Sequence, residues 1–258
     1  MMIFLKTTRS LLFILVIACT LLKPIQIYAS TLYAILIGDT QSNLKKQASA
    51  DLEQMQEGVN FIAHVLKIKP QIHVLKGTQV NKERVFSTLN HLPIKQDDIL
   101  IFYFTGHGFS FPNKESKWPT IHFYTDKQYL EIDLINSAIA KKKPRFAIVM
   151  ADCCNVTLSN YRRAPTNKRI HFSSGDRSRV TSDLEKLFLK SKGLLVISAS
   201  SQGEFSWAND QGGFLTIAFL DSFTAPSHQE SRTWDDVMQK VILKTRGIQT
   251  PQYQFMPY

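Results

Sequence analysis

Cysteine is scarce in this chain of 258 residues, which contains only Cys19, Cys153 and Cys154. Three is an odd number and two of the three are adjacent, so the sequence holds neither a disulfide framework nor the paired spacing of a zinc site. Glycine and proline number 11 and 10, which excludes a collagen-like fibre or a low-complexity chain. With 44% hydrophobic and 20% charged residues, the composition is typical of one folded domain of moderate size.

Motifs for cofactors are also absent. The sequence has no glycine-rich phosphate-binding or dinucleotide-binding motif. Its histidines do not stand at the spacings that metal ligands require. We therefore expect neither a metal nor a cofactor.

The first 30 residues contain no acidic residue. Lys6 and Arg9 precede an apolar run over residues 11–22, which is shorter than the roughly 20 residues that a membrane-spanning helix needs. A basic start, a short apolar run and a small-residue end at Ala29 are typical of a secretory signal. We predict that residues 1–30 are a signal peptide or an N-terminal anchor and that the protein is exported, as a periplasmic, secreted or membrane-anchored protein. A lipoprotein signal with lipidated Cys19 is the alternative.

Beyond residue 30, apolar runs alternate with amphipathic segments. Helices are predicted where apolar residues recur every third or fourth position, as at Leu52, Met55 and Val59. Such alternation predicts an α/β fold with three layers, in which a mostly parallel central sheet of about six strands carries helices on both faces. The predicted strands are 32–38, 72–75, 98–105, 145–151, 193–199 and a last one near Phe255; the predicted helices are 52–66, 83–92, 130–143, 182–192, 214–223 and 234–245.

One segment interrupts this alternation. Residues 155–181 show no apolar periodicity, and such a long irregular stretch in a compact domain is typically functional or mobile. The formal net charge of +10 lies mostly in this stretch and in the first 30 residues, so it is weak evidence for a nucleic-acid partner and we expect none. The stretch contains one acidic and six basic residues, which are Arg162, Arg163, Lys168, Arg169, Arg177 and Arg179.

Two predicted strands end in residues that can carry chemistry. The third is followed by Gly106, His107 and Gly108, and the fourth by Asp152, Cys153 and Cys154. Reactive groups collect beyond the carboxyl ends of parallel strands, so we expect the imidazole and a thiol to lie close together. A neighbouring histidine makes a thiol a more effective nucleophile. Taken singly, a cysteine after a strand and a glycine-flanked histidine each also have a structural interpretation.

The segments FYFTGHG and VMADCC resemble the caspase-like cysteine peptidases, the clan of caspases, metacaspases and their bacterial relatives (peptidase C14). The resemblance extends to LYAILIG, VISASS and GGFLTIAFLDSF, and the QTPQ of residues 249–252 is similar to metacaspase-like members. It implies a caspase-like peptidase domain over residues 31–258, with a large segment of about 31–160, a basic linker over 155–181 and a small segment of about 182–258. Peptides or proteins are the implied substrates.

The resemblance also assigns the catalytic residues. It makes Cys154 the nucleophile and His107 the general base or proton donor of a cysteine endopeptidase. The N–H groups of Gly108 and Cys154 would form the oxyanion hole for the acyl-transfer intermediate. Cys153 would point into the sheet, because neighbours on a strand face opposite ways.

Substrate specificity is indicated by Asp152. In metacaspase-like members an acidic residue two positions before the nucleophile lines the pocket for the side chain that precedes the cut, so the resemblance implies cleavage after Arg or Lys. It places Thr105 at the pocket wall, and Asp39 would add charge there. The alternatives are a strand-end cap or backbone-bonded carboxylate for Asp152 and a turn residue for Asp39. Self-processing at one of the six basic residues of the linker is a further hypothesis, beside that of a solvated loop.

Asn155, Val156 and Thr157 differ from the small, flexible turn that usually follows the nucleophile in the family. This difference supports an alternative function, a catalytically silent caspase-fold protein that binds partners. Between Gly108 and Ile132 the only acidic residues are Glu115, Asp126 and Glu131, so calcium activation is not expected.

Overall fold

The computed structural model describes residues 30–124, 127–157, 177–224 and 232–258. Residues 1–29 of the predicted signal or anchor, including Cys19, lie outside the described residues, as does most of the predicted linker. Within the described part of the chain, no helix has the length and apolar character that crossing a membrane requires.

The described elements alternate between strands and helices along most of the chain. In order they are β1 (Thr31–Gly38), α1 (Lys45–Leu66), β2 (Lys69–Lys76), a 3₁₀ turn (Gly77–Gln79), α2 (Lys82–His91), β3 (Ile99–Thr105), β4 (Gly108–Phe109), β5 (Thr120–Phe123), β6 (Gln128–Glu131), α3 (Ile132–Lys142), β7 (Phe146–Asp152), α4 (Arg177–Leu184), a π-helical turn (Glu185–Leu189), β8 (Gly193–Ser198), β9 (Ala208–Asn209), β10 (Gly212–Gly213), α5 (Phe214–Thr224), α6 (Trp234–Thr245) and β11 (Gln252–Met256).

Six of these strands form the central sheet in the order β11-β8-β7-β3-β1-β2. All neighbours are parallel except β11, which runs antiparallel to β8. Side chains alternate between the two faces, so Leu32 and Leu36 pack against α1, α4, α5 and α6, while Tyr33 and Ile35 pack against α2, α3 and the small sheet β4-β5-β6. The predicted three-layer α/β fold with a mostly parallel six-stranded sheet is confirmed.

The structure differs from the sequence prediction around residue 130. The predicted helix over 130–143 begins at Ile132, because Gln128–Glu131 forms strand β6 and pairs with β5. The apolar side chains of Ile121 and Leu130 are cross-strand partners and fully buried. A local pattern does not reveal this pairing, because the partner strand decides whether so short a segment is extended.

The predicted irregular stretch also differs from the structure at its carboxyl end. Residues 177–181 belong to α4, and Val180 is only 5% exposed in the core.

The functional edge of the sheet is defined by register. Gly38 at the end of β1 pairs with Thr105 at the end of β3, and Thr105 pairs with Asp152 at the end of β7. The carboxyl ends of three neighbouring parallel strands therefore lie at one level. The residues that follow them share the same edge of the molecule.

Candidate active site

His107 follows β3 at a sharp change of chain direction. Gly106 has a φ of +151°, and a Cβ at this position would lie 2.6 Å from the Cβ of Asp39 and 2.9 Å from the ring of Phe104. Only glycine fits such a position without strain. The His107 carbonyl then accepts a hydrogen bond of 3.0 Å from the N–H of His122 in β5, which fixes the backbone beside the imidazole.

The His107 ring is oriented by Asn43, an exposed residue of the β1–α1 connection. Nε2 of His107 lies 2.8 Å from the amide oxygen of Asn43. Because an amide oxygen only accepts hydrogen bonds, this contact places the proton on Nε2 and leaves Nδ1 as the basic nitrogen. No described residue forms a hydrogen bond with Nδ1.

The charge state of His107 is set mainly by burial, which lowers the pKa of the imidazole. Asp39 opposes this shift, and His122 adds to it. The ring is therefore neutral near pH 7 and can act as a base.

Cys154 lies in the same cavity as His107, a cleft of about 640 Å³. Its half-buried Sγ accepts a hydrogen bond from the N–H of Ser206 at 3.4 Å and lies 3.7 Å from the Ser206 carbonyl. Burial raises the pKa of the Cys154 thiol, Asp152 raises it further, and the Ser206 contacts oppose the shift. No hydrogen bond joins Sγ of Cys154 to His107. Because the pKa of the thiol is raised and that of the imidazole is lowered, the two groups are a neutral thiol and a neutral imidazole.

The adjacent thiol of Cys153 is fully buried on the opposite face, in the core beneath α2 and α3. Burial raises its pKa well above the usual range. Cys154 therefore lines the cleft, whereas Cys153 is a core side chain.

Two buried carboxylates form the floor of this cleft. Asp51 of α1 accepts hydrogen bonds from the hydroxyl of Thr105 at 2.6 Å and from the N–H of Gly213 at 2.8 Å. Asp152 accepts hydrogen bonds from the N–H of Thr216 at 2.9 Å and from its hydroxyl at 2.7 Å. We call Asp51, Asp152 and Thr105 the acidic pit; all three line the same cleft as Cys154.

Burial keeps the acidic pit partly protonated near neutral pH, with a pKa of about 8 for Asp51 and about 6 for Asp152. Burial raises the pKa of both Asp51 and Asp152, and Asp152 raises the pKa of Asp51 further. No described residue forms an ion pair with either carboxylate, and no described residue donates to Oδ1 of Asp152. The two carboxyls and the Cys154 thiol therefore line one cleft.

Close backbone approach makes this arrangement possible. A Cβ at Gly213 in β10 would overlap the carboxylate of Asp152, and one at Gly212 would overlap that of Asp51. A larger residue at either position would displace a carboxylate. The two glycines therefore allow β10 to close one side of the acidic pit.

The structure brings together most of the predicted site residues. Cys154, His107, Gly108, Asp152 and Thr105 all line the cleft. Asp39 does not. The sequence predicts that Asp39 adds charge to the substrate pocket. In the structure, its backbone N–H donates a hydrogen bond to the Thr105 carbonyl, and its buried carboxylate opposes the lowering of the His107 pKa instead.

Asp51 is not among the site residues that the sequence predicts. A signal for it exists, because Asp51 lies among Ala48, Leu52 and Met55 on the buried face of α1. An acidic residue on the apolar face of an amphipathic helix is expensive to bury and therefore indicates a specific role.

The segment that follows Cys154 is held by hydrogen bonds. The fully buried Asn155 donates its backbone N–H to Glu204 at 3.0 Å and its side-chain amide to the Lys117 carbonyl at 2.8 Å. The carbonyl of Val156 accepts a hydrogen bond from Ser110 at 3.0 Å. The start of the predicted linker is therefore part of the cleft wall.

Metal ligation has no candidate among the described residues, which contain no cluster of three or more His, Cys, Asp or Glu side chains placed to hold an ion.

Comparisons with known proteins agree with the fold. No curated protein matches the chain. The protein GSU0716 from Geobacter sulfurreducens has a similar solved structure, with 14% sequence identity, a TM-score of 0.57, and coverage of 88% of this chain and 94% of that chain. At this identity, the similarity shows a shared fold. The family model of the caspase domain, Peptidase_C14, matches residues 31–258. Because that match covers nearly all of the chain, the chain belongs to the caspase-domain family of cysteine peptidases.

Proposed function

We propose that the protein is a cysteine endopeptidase that hydrolyses peptide bonds after Arg or Lys. The observation that carries the proposal is the acidic pit, whose two buried carboxylates lie in one cleft with Cys154 and His107. Ionising two such buried groups is costly, and a guanidinium or ammonium paired with them would favour their ionised form. The pit therefore supports a basic side chain immediately before the scissile bond.

The proposed hydrolysis starts from the neutral thiol of Cys154 and the neutral imidazole of His107. As Sγ of Cys154 attacks the substrate carbonyl carbon, its proton passes to Nδ1 of His107, and the N–H groups of Gly108 and Cys154 stabilise the oxyanion. His107 then donates this proton to the leaving amine, which yields a thioester. Water hydrolyses the thioester, with His107 again acting as the base. Asn43 keeps the other nitrogen protonated throughout.

The test compares two fluorogenic peptides that differ only in Arg or Asp before the scissile bond. We expect kcat/KM for the Arg peptide to exceed that for the Asp peptide by at least about 100-fold, because opposing like charges costs several kcal/mol. Turnover of the Asp peptide alone would refute the pocket assignment.

The alternative function, a silent caspase-fold protein that binds partners, is favoured by one observation. Asn155 fixes the segment after the nucleophile by hydrogen bonds, where relatives have a flexible turn. Absence of turnover of both peptides by folded protein would support this alternative. Retention of an immobilised Arg peptide under the same conditions would then identify the cleft as a binding site.

Asn43 is a positioning residue, and its replacement has a specific signature. We expect Asn43→Ala to lower kcat by roughly tenfold to a hundredfold with little change in KM, because the imidazole loses its orientation. Asn43→Asp keeps the acceptor, so it is expected to restore kcat while moving the acid limb of the pH–rate profile to higher pH, since a carboxylate favours imidazolium. Steady-state kinetics across pH measure both effects. An unchanged profile in Asn43→Asp would contradict the assignment.

A further inference from the structure

We infer that an aromatic surface beside His107 binds the side chain that follows the scissile bond and selects a large apolar residue there. This inference rests on the proposed function and deepens it. The aromatic surface consists of Phe109, Phe111, His122, Tyr124 and Tyr129, which belong to or adjoin the small sheet β4-β5-β6.

The aromatic rings form a connected cluster. The ring centroid of Phe109 lies 4.9 Å from that of Phe111 and 5.4 Å from that of Tyr129, and Phe111 and Tyr129 are 5.7 Å apart. All three pairs meet edge to face, the arrangement that aromatic rings prefer. A cluster built this way presents a defined apolar surface.

Much of the aromatic surface is exposed to solvent. Phe111, Tyr129 and Tyr124 are 37%, 48% and 49% exposed, although the same small sheet buries Ile121 and Leu130 completely on its other face. A contiguous exposed aromatic patch typically marks a binding site.

The aromatic surface is continuous with the cleft. Phe109 and His122 line the same cavity as Cys154 and His107. The ring centroid of Tyr124 lies 6.5 Å from that of His107. A substrate that reaches Cys154 therefore passes beside Phe109 and His122, and the rings of Phe111 and Tyr129 adjoin Phe109 outside the cavity.

The direction of the substrate follows from the chemistry. The acidic pit lies on the α1 and α5 side of the sheet and takes the residue before the scissile bond. His107 must reach the leaving amine to donate its proton, so the leaving peptide runs past the imidazole. The chain enters the small sheet at Gly108, directly after His107. The first side chain of the leaving peptide thus lies over the aromatic surface.

The proposed preference for a large apolar residue after the scissile bond distinguishes among the six basic residues of the predicted linker. Among the six, only Arg169 and Arg179 are followed by a branched apolar residue, Ile170 and Val180 respectively. Arg179 belongs to helix α4 and Val180 is in the core. The bond between Arg169 and Ile170 is therefore the self-processing site that the aromatic surface favours.

The test measures peptide binding by fluorescence anisotropy to the full chain carrying Cys154→Ala, in which no cleavage competes. The two peptides have the same sequence up to and including an Arg. They differ only in the residue after that Arg, which is Phe in one peptide and Gly in the other. We expect the Phe peptide to bind about tenfold more tightly, because partial burial of a phenyl ring contributes a factor of this order. Tyr129→Ala and Phe111→Ala are each made in the Cys154→Ala protein. In both variants we expect the ratio of the affinities for the Phe and Gly peptides to fall toward one.

Phe61→Ala is the matched control, because Phe61 is a similarly exposed aromatic residue, 39%, on α1 outside the cleft. It is expected to leave the ratio of affinities unchanged. Equal affinities for the two peptides, or a ratio that persists in both cluster variants, would overturn the inference and leave the proposed function standing. Failure of both peptides to bind would contradict the proposed function itself.

Discussion

Replacing Cys154 with Ala is expected to abolish turnover of Arg peptides and any cleavage of the chain by itself. The variant removes the atom that forms the thioester, so the loss should exceed about 1,000-fold in kcat. The remaining cleft would still bind substrate, because the acidic pit does not depend on the thiol. We therefore expect a catalytic defect with retained affinity.

Self-processing is measured by incubating the purified full chain and determining fragment masses. Wild-type protein is expected to yield a cut after Arg169, and the Cys154→Ala protein none. Cys153→Ala is the matched control, since it removes the adjacent thiol, which lies in the core beneath Gly108 and does not line the cleft. A cut that persists in Cys154→Ala would show that another protease makes it.

Replacing Asp51 with Asn is expected to weaken selection of a basic residue before the scissile bond. Removing one partner of a buried charge pair costs about 2–5 kcal/mol, or roughly 30-fold to several thousand-fold in kcat/KM for the Arg peptide. The Asn side chain keeps an oxygen that can accept from Gly213, so the pit retains its shape. Glu53→Gln, an exposed change on the same helix, is the matched control and should leave kcat/KM unaltered.

The same Asp51 variant is expected to be more stable than the wild type at alkaline pH. The folded-state pKa of Asp51 is raised by burial and by Asp152, so the folded protein holds its proton more tightly than the unfolded chain. The free energy of unfolding of the wild type therefore falls as pH rises from the unfolded pKa through the raised one. Thermal denaturation at about pH 5 and about pH 8 should show a larger gain in Tm for Asp51→Asn at the higher pH. An equal gain at both would contradict the raised pKa.

These opposite effects on activity and stability have one cause. Ionising two buried carboxyls in one cleft destabilises the folded protein, and under the proposed function the same arrangement favours binding of a basic substrate. Binding such a substrate should release protons from the pit. KM for the Arg peptide is consequently expected to decrease as pH rises through the pKa values of the two carboxyls.

Local patterns in the sequence were sufficient for the layers and for the placement of His107 and Cys154 at one edge of the sheet. Continuous apolar runs indicate the strands, which are buried on both faces, and apolar residues at every third or fourth position indicate the helices, which bury one face. Parallel connections then place the residues after β3 and β7 at one edge, so the pairing of His107 with Cys154 in one cleft followed from the order of the elements alone.

Only the tertiary structure decided the contents of the cleft. Asp51 and Gly213 are 162 positions apart, and Thr105 lies 54 positions from Asp51, so no local pattern reports their hydrogen bonds. Asp39 is the opposite case. It is an acid at the end of a strand, as the sequence predicts for a pocket residue, but the turn after β1 places its carboxylate near His107 and outside the acidic pit. The sequence by itself determined most of the elements, because these depend on local burial. Packing between distant elements determined which carboxylates meet and which aromatic rings stay exposed, because those contacts exist only once the sheet, α1 and the small sheet have assembled.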